Sequence, residues 1–322
     1  MTDAGGLAIG VDVGGTKVAG MVVDPGGAIL DRRHVETPAA DAEGVVRTVV
    51  AVARDLLADH PEVSVVGVGA AGLVDRDGVM RFAPNIAWRE YPLRERVARG
   101  VGLPTLVDND ANVAAWGEFR FGAGKGSVDM LLVTVGTGIG GGIVTGGRLF
   151  RGAHGFAAEI GHVIVEPDGP RCGCGNRGCF EQVASGRAVG RLGVLAGRDH
   201  PEALLVRLAG GDPERIEGPM VTEAAKQGDP VATHVLAEVG RRLGEGIAGL
   251  VNVLDPDVVV VGGGVIEAGD LLLEPARRAF EGAVEAPDHR PRVPLLAAAL
   301  GNDAGGIGAA DLARLELGGS GA

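Results

Sequence analysis

The chain has 322 residues, 46% of them hydrophobic, which is enough for one large hydrophobic core or two smaller ones. Asp and Glu outnumber Lys and Arg by 42 to 30, so the net charge of -12 disfavours contact with nucleic acid or anionic lipid. Because the sequence shows neither a secretory leader nor an apolar run of about 18 residues, we expect a cytoplasmic protein with no membrane or nucleic-acid partner.

The first predicted elements are three strands separated by glycine turns. They occupy residues 7–30, where LAIGVDV and KVAGMVV flank the turn at Gly14 and a Pro-Gly-Gly turn precedes the third strand. Residues 131–150 show the same order, with Gly136 in the place of Gly14. We interpret the two stretches as copies of one β-hairpin unit.

Later elements extend this repeat in the same order. An amphipathic helix near 42–59 precedes the strand VSVVGVGA, and a second amphipathic helix at about 231–254 precedes the strand DVVVV. Asn109 and Asn302 each begin an Asn-Asp-Ala sequence that opens a helical segment of small residues. The recurrence predicts two similar α/β domains that face each other across a central cleft.

The domain boundaries follow from this duplication. We predict a small N-terminal domain of residues 1–113, closed by a C-terminal helix within residues 302–322. A larger domain is predicted for residues 114–301, and its additional residues include all three cysteines of the chain.

Two glycine loops are candidates for binding a polyphosphate. The first lies between two predicted strands, where backbone N–H groups, a hydroxyl and an ammonium group can converge on an anion and Asp12 can hold Mg²⁺ directly or through water. An ordinary hairpin turn is the alternative, but the second loop adds another glycine turn in the other predicted domain. The predicted nucleotide-binding residues are Asp12, Gly14, Gly15, Thr16, Lys17, Gly136, Thr137 and Gly138.

Two better-known nucleotide-binding motifs are excluded. Residues 67–72 and 136–141 both fit GxGxxG, but each is followed by a strand pattern, whereas a Rossmann motif requires a helix at that point. The sequence also contains no GxxxxGK[ST] stretch. A nucleotide site in this chain must therefore use another architecture.

The three cysteines have the spacing C-x-C-x4-C at Cys172, Cys174 and Cys179. An odd number of cysteines in a reducing compartment disfavours a disulfide framework. Three thiolates and one imidazole form a tetrahedral set that suits Zn²⁺ and leaves no position for a catalytic water, so we predict a structural zinc site. Two nearby histidines, His154 and His162, are candidates for the fourth ligand.

Charged residues beside the predicted strands allow more than one interpretation. Asp110 lies at the end of the predicted strand TLVDND and at the start of a helix, where it can cap the helix or act as a general base. Arg148 and Arg151 flank the second hairpin and could bind phosphate, but we interpret them as solvated surface charges.

Several motifs together resemble the ROK family of sugar kinases and repressors, and within it bacterial glucokinases of the actinobacterial type. They are LAIGVDVGGTK, PNIAW, VDNDANVAAWGE, the stretch from GTGIGGG to EIGH, and the cysteine cluster. The resemblance extends over about residues 7–315. It implies the duplicated actin-like, ribonuclease H-like fold of hexokinase-type ATPases, which agrees with the internal repeat.

The resemblance also implies roles for individual residues. Asp110 would be the general base of a kinase that uses ATP and Mg²⁺. His162 would be the fourth zinc ligand, Gly263 would lie at the adenine, and Gly72 would either line the sugar pocket or serve close packing alone. The implied sugar ligands are Asn85, Asp110, Glu159, His162 and Glu181.

The activity implied by the resemblance is phosphorylation of a hexose. The first candidate is the conversion of glucose to glucose 6-phosphate. N-acetylmannosamine, N-acetylglucosamine, fructose and allose remain alternative substrates, and polyphosphate remains an alternative donor. A sugar-responsive repressor is disfavoured, because the family's repressors carry a helix-turn-helix domain before the first phosphate motif, which begins here at residue 10. The resemblance also implies a homodimer or homotetramer.

Overall fold

The computed structural model describes residues 5–318, in which strands and helices alternate along the chain. The strands are β1 (Ala8–Val13), β2 (Lys17–Val23), β3 (Ile29–Glu36), β4 (Val65–Ala70), β5 (Leu73–Val74), β6 (Met80–Phe82), β7 (Arg89–Tyr91), β8 (Thr105–Asn109), β9 (Met130–Val135), β10 (Ile139–Thr145), β11 (Arg148–Leu149), β12 (Val258–Gly262) and β13 (Leu295–Ala297). The α-helices are α1 (Ala42–Asp59), α2 (Leu93–Val101), α3 (Asp110–Phe121), α4 (Phe180–Ala184), α5 (Gly186–Asp199), α6 (Leu204–Leu208), α7 (Gly218–Lys226), α8 (Pro230–Leu254), α9 (Asp270–Ala283) and α10 (Ala304–Leu317).

The two larger sheets have the same strand order. The first runs β3-β2-β1-β4-β8 and the second runs β11-β10-β9-β12-β13. In the first sheet β1 is antiparallel to β2 and parallel to β4, and in the second β10 is antiparallel to β11 and β12 is parallel to β13. The shared order confirms the predicted duplication, and both hairpin units and the helices predicted at 42–59 and 231–254 are present.

Glycines allow helix α10 to lie directly on the first sheet. A β-carbon at Gly10 of β1 would lie 1.8 Å from the carbonyl oxygen of Gly306, and one at Gly67 of β4 would lie 1.9 Å from that of Ala309. On the opposite face of the sheet, Gly20 of β2 points toward α1. Helices therefore cover both faces, which explains why β1 and β4 are buried along nearly their whole length.

Replacing Gly67 by Ala should destabilise the protein by about 3 kcal/mol, because the helix backbone opposite cannot move away from a new methyl group. The matched control is Gly249→Ala in α8, where, apart from the adjoining residues and the helix's own backbone, no heavy atom lies within 4 Å of the position that the new methyl group would take. That control should be neutral or should stabilise by about 0.5–1 kcal/mol, since Ala is the better helix former. Urea unfolding measures both, and equal midpoints for the two variants would contradict the packing described above.

Helix α8 organises the helices packed around the second sheet's unit. It contacts α9, α7, α5 and α4. Two glycines bring α8 close to α9, because a β-carbon at Gly240 would lie 2.4 Å from the Leu272 oxygen and one at Gly244 would lie 2.1 Å from the Ala276 oxygen. The amphipathic character predicted for this helix is present: of the five residues on its apolar face, the first four are buried and the last is half-buried, namely Val235, Val239, Leu243, Ile247 and Leu250.

The chain divides into two compact units. The first contains the described parts of residues 1–132, 142–158 and 298–322, and the second contains residues 133–141 and 159–297. Residues 114–121 fall in the first unit because α3 packs along α10. The domain division at residues 113 and 302 stays a prediction. Within residues 5–318, no helix has both the length and the apolar composition needed to cross a bilayer.

Candidate active site

The first glycine loop is a tight turn between β1 and β2. The N–H of Gly14 donates to the carbonyl oxygen of Lys17 at 2.9 Å, which closes the hairpin. A β-carbon at Gly15 would lie 3.2 Å from Cβ of Asn85, so the predicted sugar ligand Asn85 lies against this loop. Thr16 and Lys17 are exposed. The loop thus leaves a hydroxyl and an ammonium group available to an anionic ligand.

Two carboxyl groups with raised pKa values, those of Asp12 and Asp110, lie beside this loop. Burial and, after it, the charge of Asp110 raise the pKa of Asp12 to about 7, and Lys17 offsets part of the effect. The Asp12 side chain lies against the first turn of α10, where a β-carbon at Gly305 would be 3.2 Å from its Cγ. Burial also raises the pKa of Asp110, although backbone N–H groups at residues 110 and 111 partly offset the effect. Two carboxylates whose negative charge is only partly offset by a neighbouring cation form a site that suits a divalent cation such as Mg²⁺.

Asn109, for which the sequence predicted no role, holds the start of α3. Its side-chain oxygen accepts from the N–H groups of Ala111 at 2.8 Å and Asn112 at 3.1 Å, and its amide donates to the Gly72 oxygen at 3.0 Å. Asn109 is therefore the helix N-cap, and Asp110 is the first helical residue. An Asn directly before a predicted helix was the available signal.

Gly72 is required by the backbone at this point. Its φ is 140°, and a β-carbon would lie 2.3 Å from the carbonyl oxygen of Phe82. Close packing alone therefore accounts for a glycine here. A contact between Gly72 and a sugar stays a prediction.

The second glycine loop connects β9 to β10. The N–H of Gly136 donates to the Gly138 oxygen at 3.0 Å, and the Gly136 oxygen accepts from the N–H of Gly186 at 2.8 Å. Thr137 is exposed. A β-carbon at Gly138 would lie 2.4 Å from a carboxylate oxygen of Glu181, so the second predicted phosphate loop and one predicted sugar ligand are in contact.

A cavity of about 980 Å³ opens beside the second loop. Gly264 lines it, whereas the predicted adenine residue Gly263 packs against β9, where a β-carbon on it would lie 2.5 Å from the Val135 oxygen. Much of the wall comes from α5 and α7, which were not predicted to line a site because neither helix carries a local nucleotide motif. The residues that line the cavity include Gly136, Thr137, Gly186, Arg187, Val189, Arg191, Glu217, Thr222, Glu223, Lys226 and Val265.

Four predicted metal ligands come together in the second unit. One donor atom from each of His162, Cys172, Cys174 and Cys179 lies within 4.8 Å of all the others. The Cys172 sulfur lies 3.6 Å from Nδ1 of His162, and the Cys174 and Cys179 sulfurs are also 3.6 Å apart. Ligands of a tetrahedral zinc ion are separated by about 3.5–3.8 Å, so the donor set fits Zn²⁺. The group contains His162 and not the alternative His154.

The folding of the loop explains how these ligands meet. His162 ends a 3-10 turn, Ile160–His162, and Cys179 precedes α4 in a β-bridge with Ile164. Burial raises the pKa of the Cys172 thiol to about 12, so zinc binding must displace a proton from this thiol. Four protein ligands would complete a tetrahedral site, so a zinc ion bound here would have a structural role.

Glu181 connects the metal cluster to the second glycine loop. One oxygen of its carboxylate accepts from the Cys172 sulfur at 3.1 Å and from the Gln182 amide at 3.0 Å. Its other oxygen lies beside Gly138. A zinc-bound thiolate cannot donate this hydrogen bond, so metal binding at Cys172 would directly change the surroundings of a predicted sugar ligand.

Glu159, another predicted sugar ligand, is held near His162 by the backbone. The N–H of His162 donates to the backbone carbonyl oxygen of Glu159 at 3.1 Å. Ala158 directly before it has a φ of 69°, a left-handed conformation that costs a non-glycine residue about 1–2 kcal/mol. Such strained residues concentrate at functional sites.

The interpretation of Arg151 as a solvated charge is wrong. Its guanidinium pairs with Asp108 at 2.5 Å and with Glu316 at 2.7 Å, and only 23% of its side chain is exposed. Arg148, interpreted in the same way, is exposed. Arg148 begins the short strand β11 and Arg151 follows it by two residues, and only the fold distinguishes their surroundings.

Comparisons with known proteins agree with this geometry. The chain matches the ROK family over residues 8–316. It is 48% identical to a glucokinase of Streptomyces coelicolor, over 96% of this chain and 98% of the relative. It is 37% identical to a glucokinase of Thermotoga maritima, over 97% of this chain and 98% of the relative.

A solved structure shows a similar fold. The ROK family glucokinase of Streptomyces griseus, in complex with glucose and AMPPNP, is 50% identical to this chain, with a TM-score of 0.87. The match covers 96% of this chain and 100% of that one. The hexokinase-type, actin-like α/β fold predicted from the sequence is thereby confirmed.

Proposed function

Because the chain belongs to the ROK family, we propose that it transfers the γ-phosphoryl group of ATP to a hexose, with glucose as the main substrate. The observation that carries the proposal is the setting of Asp110. Its carboxyl group lies at the start of α3 beside the first glycine loop, with the cap supplied by Asn109 and a pKa raised by burial. Similar proteins described as glucokinases support the choice of glucose.

Asp110 serves as the general base. In its ionised form it orients the attacking sugar hydroxyl and accepts the hydroxyl proton late in the transfer. A pKa above the ordinary value makes this carboxylate a stronger proton acceptor. The raised pKa also requires a pH above that value, because protonated Asp110 cannot accept the proton.

The two glycine loops hold the phosphates. Gly14 and Gly136 close the two turns, and the backbone N–H groups of Gly15 and Gly138, with the hydroxyls of Thr16 and Thr137 and the Lys17 ammonium, bind the phosphate oxygens. Asp12 holds Mg²⁺, which when bound neutralises charge on the β- and γ-phosphates. The cavity beside the second loop accommodates the adenosine, with the adenine at the edge formed by Gly263 and Gly264.

Hydroxyl-binding side chains select the sugar. Carboxylates, an amide and an imidazole each hydrogen-bond hydroxyls, and a site that does so penalises analogues lacking one of them. Zinc stabilises the loop that carries three of these side chains. The proposed sugar ligands are Asn85, Asp110, Glu159, His162 and Glu181, with Gly72 at the pocket wall.

We assign the protein to the cytoplasm, and we infer that it forms a homodimer or homotetramer. Three thiols that bind zinc suit a reducing compartment, and the structure contains them as free cysteines. The ROK resemblance supports the oligomer.

A panel of hexoses, each assayed with ATP and with polyphosphate in the presence of Mg²⁺, tests the proposal. We expect glucose with ATP to give the highest kcat/KM, because the similar kinases are described as glucokinases. A higher kcat/KM for N-acetylmannosamine, N-acetylglucosamine, fructose or allose would contradict the substrate assignment. A higher rate with polyphosphate would contradict the donor assignment.

A further inference from the structure

Arg151 and Asp108 form a partly buried ion pair behind the start of α3. Asp108 is the fourth residue of β8 and is 4% exposed. One of its carboxylate oxygens accepts from Nε of Arg151 at 2.5 Å. The guanidinium also reaches Glu316 of α10 at 2.7 Å, so Arg151 connects the loop after β11 to two other elements.

The second oxygen of Asp108 accepts hydrogen bonds from residues on either side of the proposed base. It accepts from the backbone N–H of Asn109 at 2.7 Å and from the side-chain amide of Asn112 at 2.9 Å. Asn109 in turn caps α3. The Asp108 carboxylate therefore fixes the end of β8 and the first turn of α3, which begins with Asp110.

Arg151 determines whether the Asp108 carboxylate can keep its hydrogen bonds to Asn109 and Asn112. A buried carboxylate that lacks a cation is costly, and it reorients toward solvent or takes up a proton. Either response weakens its bonds to Asn109 and Asn112. The ion pair also borders a cavity of about 320 Å³, into which an unpaired Asp108 can turn.

We propose that Arg151 is a positioning residue for the phosphoryl transfer, acting on Asp110 through Asp108 and the Asn109 cap. The proposal rests on the proposed function, in which Asp110 is the base. It explains why a cation in the loop after β11 reaches a carboxylate 43 residues earlier in the sequence. A displaced base lowers the rate of transfer more than it weakens ATP binding.

The alternative is a purely structural link from Arg151 to α10 through Glu316. The two partners of Arg151 allow the roles to be separated. Glu316→Gln removes the charge on α10 and leaves the pair with Asp108 intact. Arg151→Met removes both contacts with little change in volume.

The test compares purified Arg151→Met, Arg151→Lys and Glu316→Gln, with Arg148→Met as the matched surface control. The measurements are kcat, KM for glucose and for ATP, and the midpoint of thermal unfolding. We expect Arg151→Met to lower kcat about ten- to a hundred-fold with the KM for ATP within about two-fold. Arg151→Lys should recover part of the loss, because it keeps the charge without the Nε donor. Glu316→Gln and Arg148→Met should keep kcat within about two-fold.

Each contrary result has a defined meaning. A kcat for Arg151→Met within about two-fold of wild type overturns the inference, and so does an equal loss in Glu316→Gln, which would assign the effect to α10. Should Arg151→Met not fold, Arg151→Gln decides, because it removes the charge opposite Asp108 while remaining polar, and an unchanged kcat in that variant overturns the inference. A wild-type protein that binds ATP and glucose without transfer would instead overturn the proposed function.

Discussion

Replacing Asp110 by Asn should lower kcat about a hundred- to ten-thousand-fold, the range that general-base catalysis contributes. Asn has nearly the same volume and leaves the Asn109 cap in place, so the fold and the phosphate loops remain. The amide cannot take the proton of the attacking hydroxyl. Steady-state kinetics with glucose and ATP measure the loss.

The stability of the Asp110→Asn variant should not fall. A carboxyl group whose folded-state pKa is raised destabilises the protein at neutral pH, where it must be ionised in the folded state as in the unfolded state. Neutral Asn removes that cost, so the unfolding midpoint should equal or exceed that of wild type. The control is Asp77→Asn in the exposed turn before β6, which should change neither property. A turnover within about ten-fold of wild type would show that Asp110 is not the base.

Loss of the metal should weaken both the fold and the binding of sugar. We expect one zinc per chain in the purified protein, and its removal by Cys174→Ala should lower the unfolding midpoint by about 5–10 °C. Cys174 is exposed, so its truncation leaves no buried cavity. Glucose affinity should fall about ten-fold, because the cluster includes His162 and contacts Glu181.

The control for the metal prediction is Arg171→Ala, an exposed change in the same loop that removes no ligand. This variant should retain the zinc, and its unfolding midpoint and glucose affinity should equal those of the wild type. Metal analysis, thermal unfolding and calorimetric titration with glucose measure the three quantities. A Cys174→Ala protein that lacks zinc and still binds glucose as wild type does would refute the link between the metal and the sugar.

The elements that local chemistry specifies could be predicted from the sequence. Glycines mark the turns at Gly14 and Gly136, and the strands beside them are rich in Val and Ile, so both hairpin units were identified with their correspondence. The cysteine spacing is also a local pattern, and it identified the metal cluster. The choice of His162 over His154 came from the family resemblance, and the fold brings His162 together with the three cysteines.

Contacts between distant segments could not be predicted. Arg151 pairs with residues 43 and 165 positions away, so its sequence neighbours carry no sign of its burial. The wall that α5 and α7 contribute to the large cavity was missed for the same reason. Asn109 differs, since its capping role is local and could have been recognised from its position before the helix.

The most direct test follows the phosphorus of the donor. Wild-type protein, glucose and Mg-ATP are mixed, and ³¹P NMR follows the reaction in time. We predict that ADP and a sugar phosphate ester at C6 form in equal amounts, and that Asp110→Asn gives neither on the same time scale. ADP with free inorganic phosphate and no sugar ester, or no conversion of ATP by the wild-type protein, would contradict the assignment of a hexose kinase.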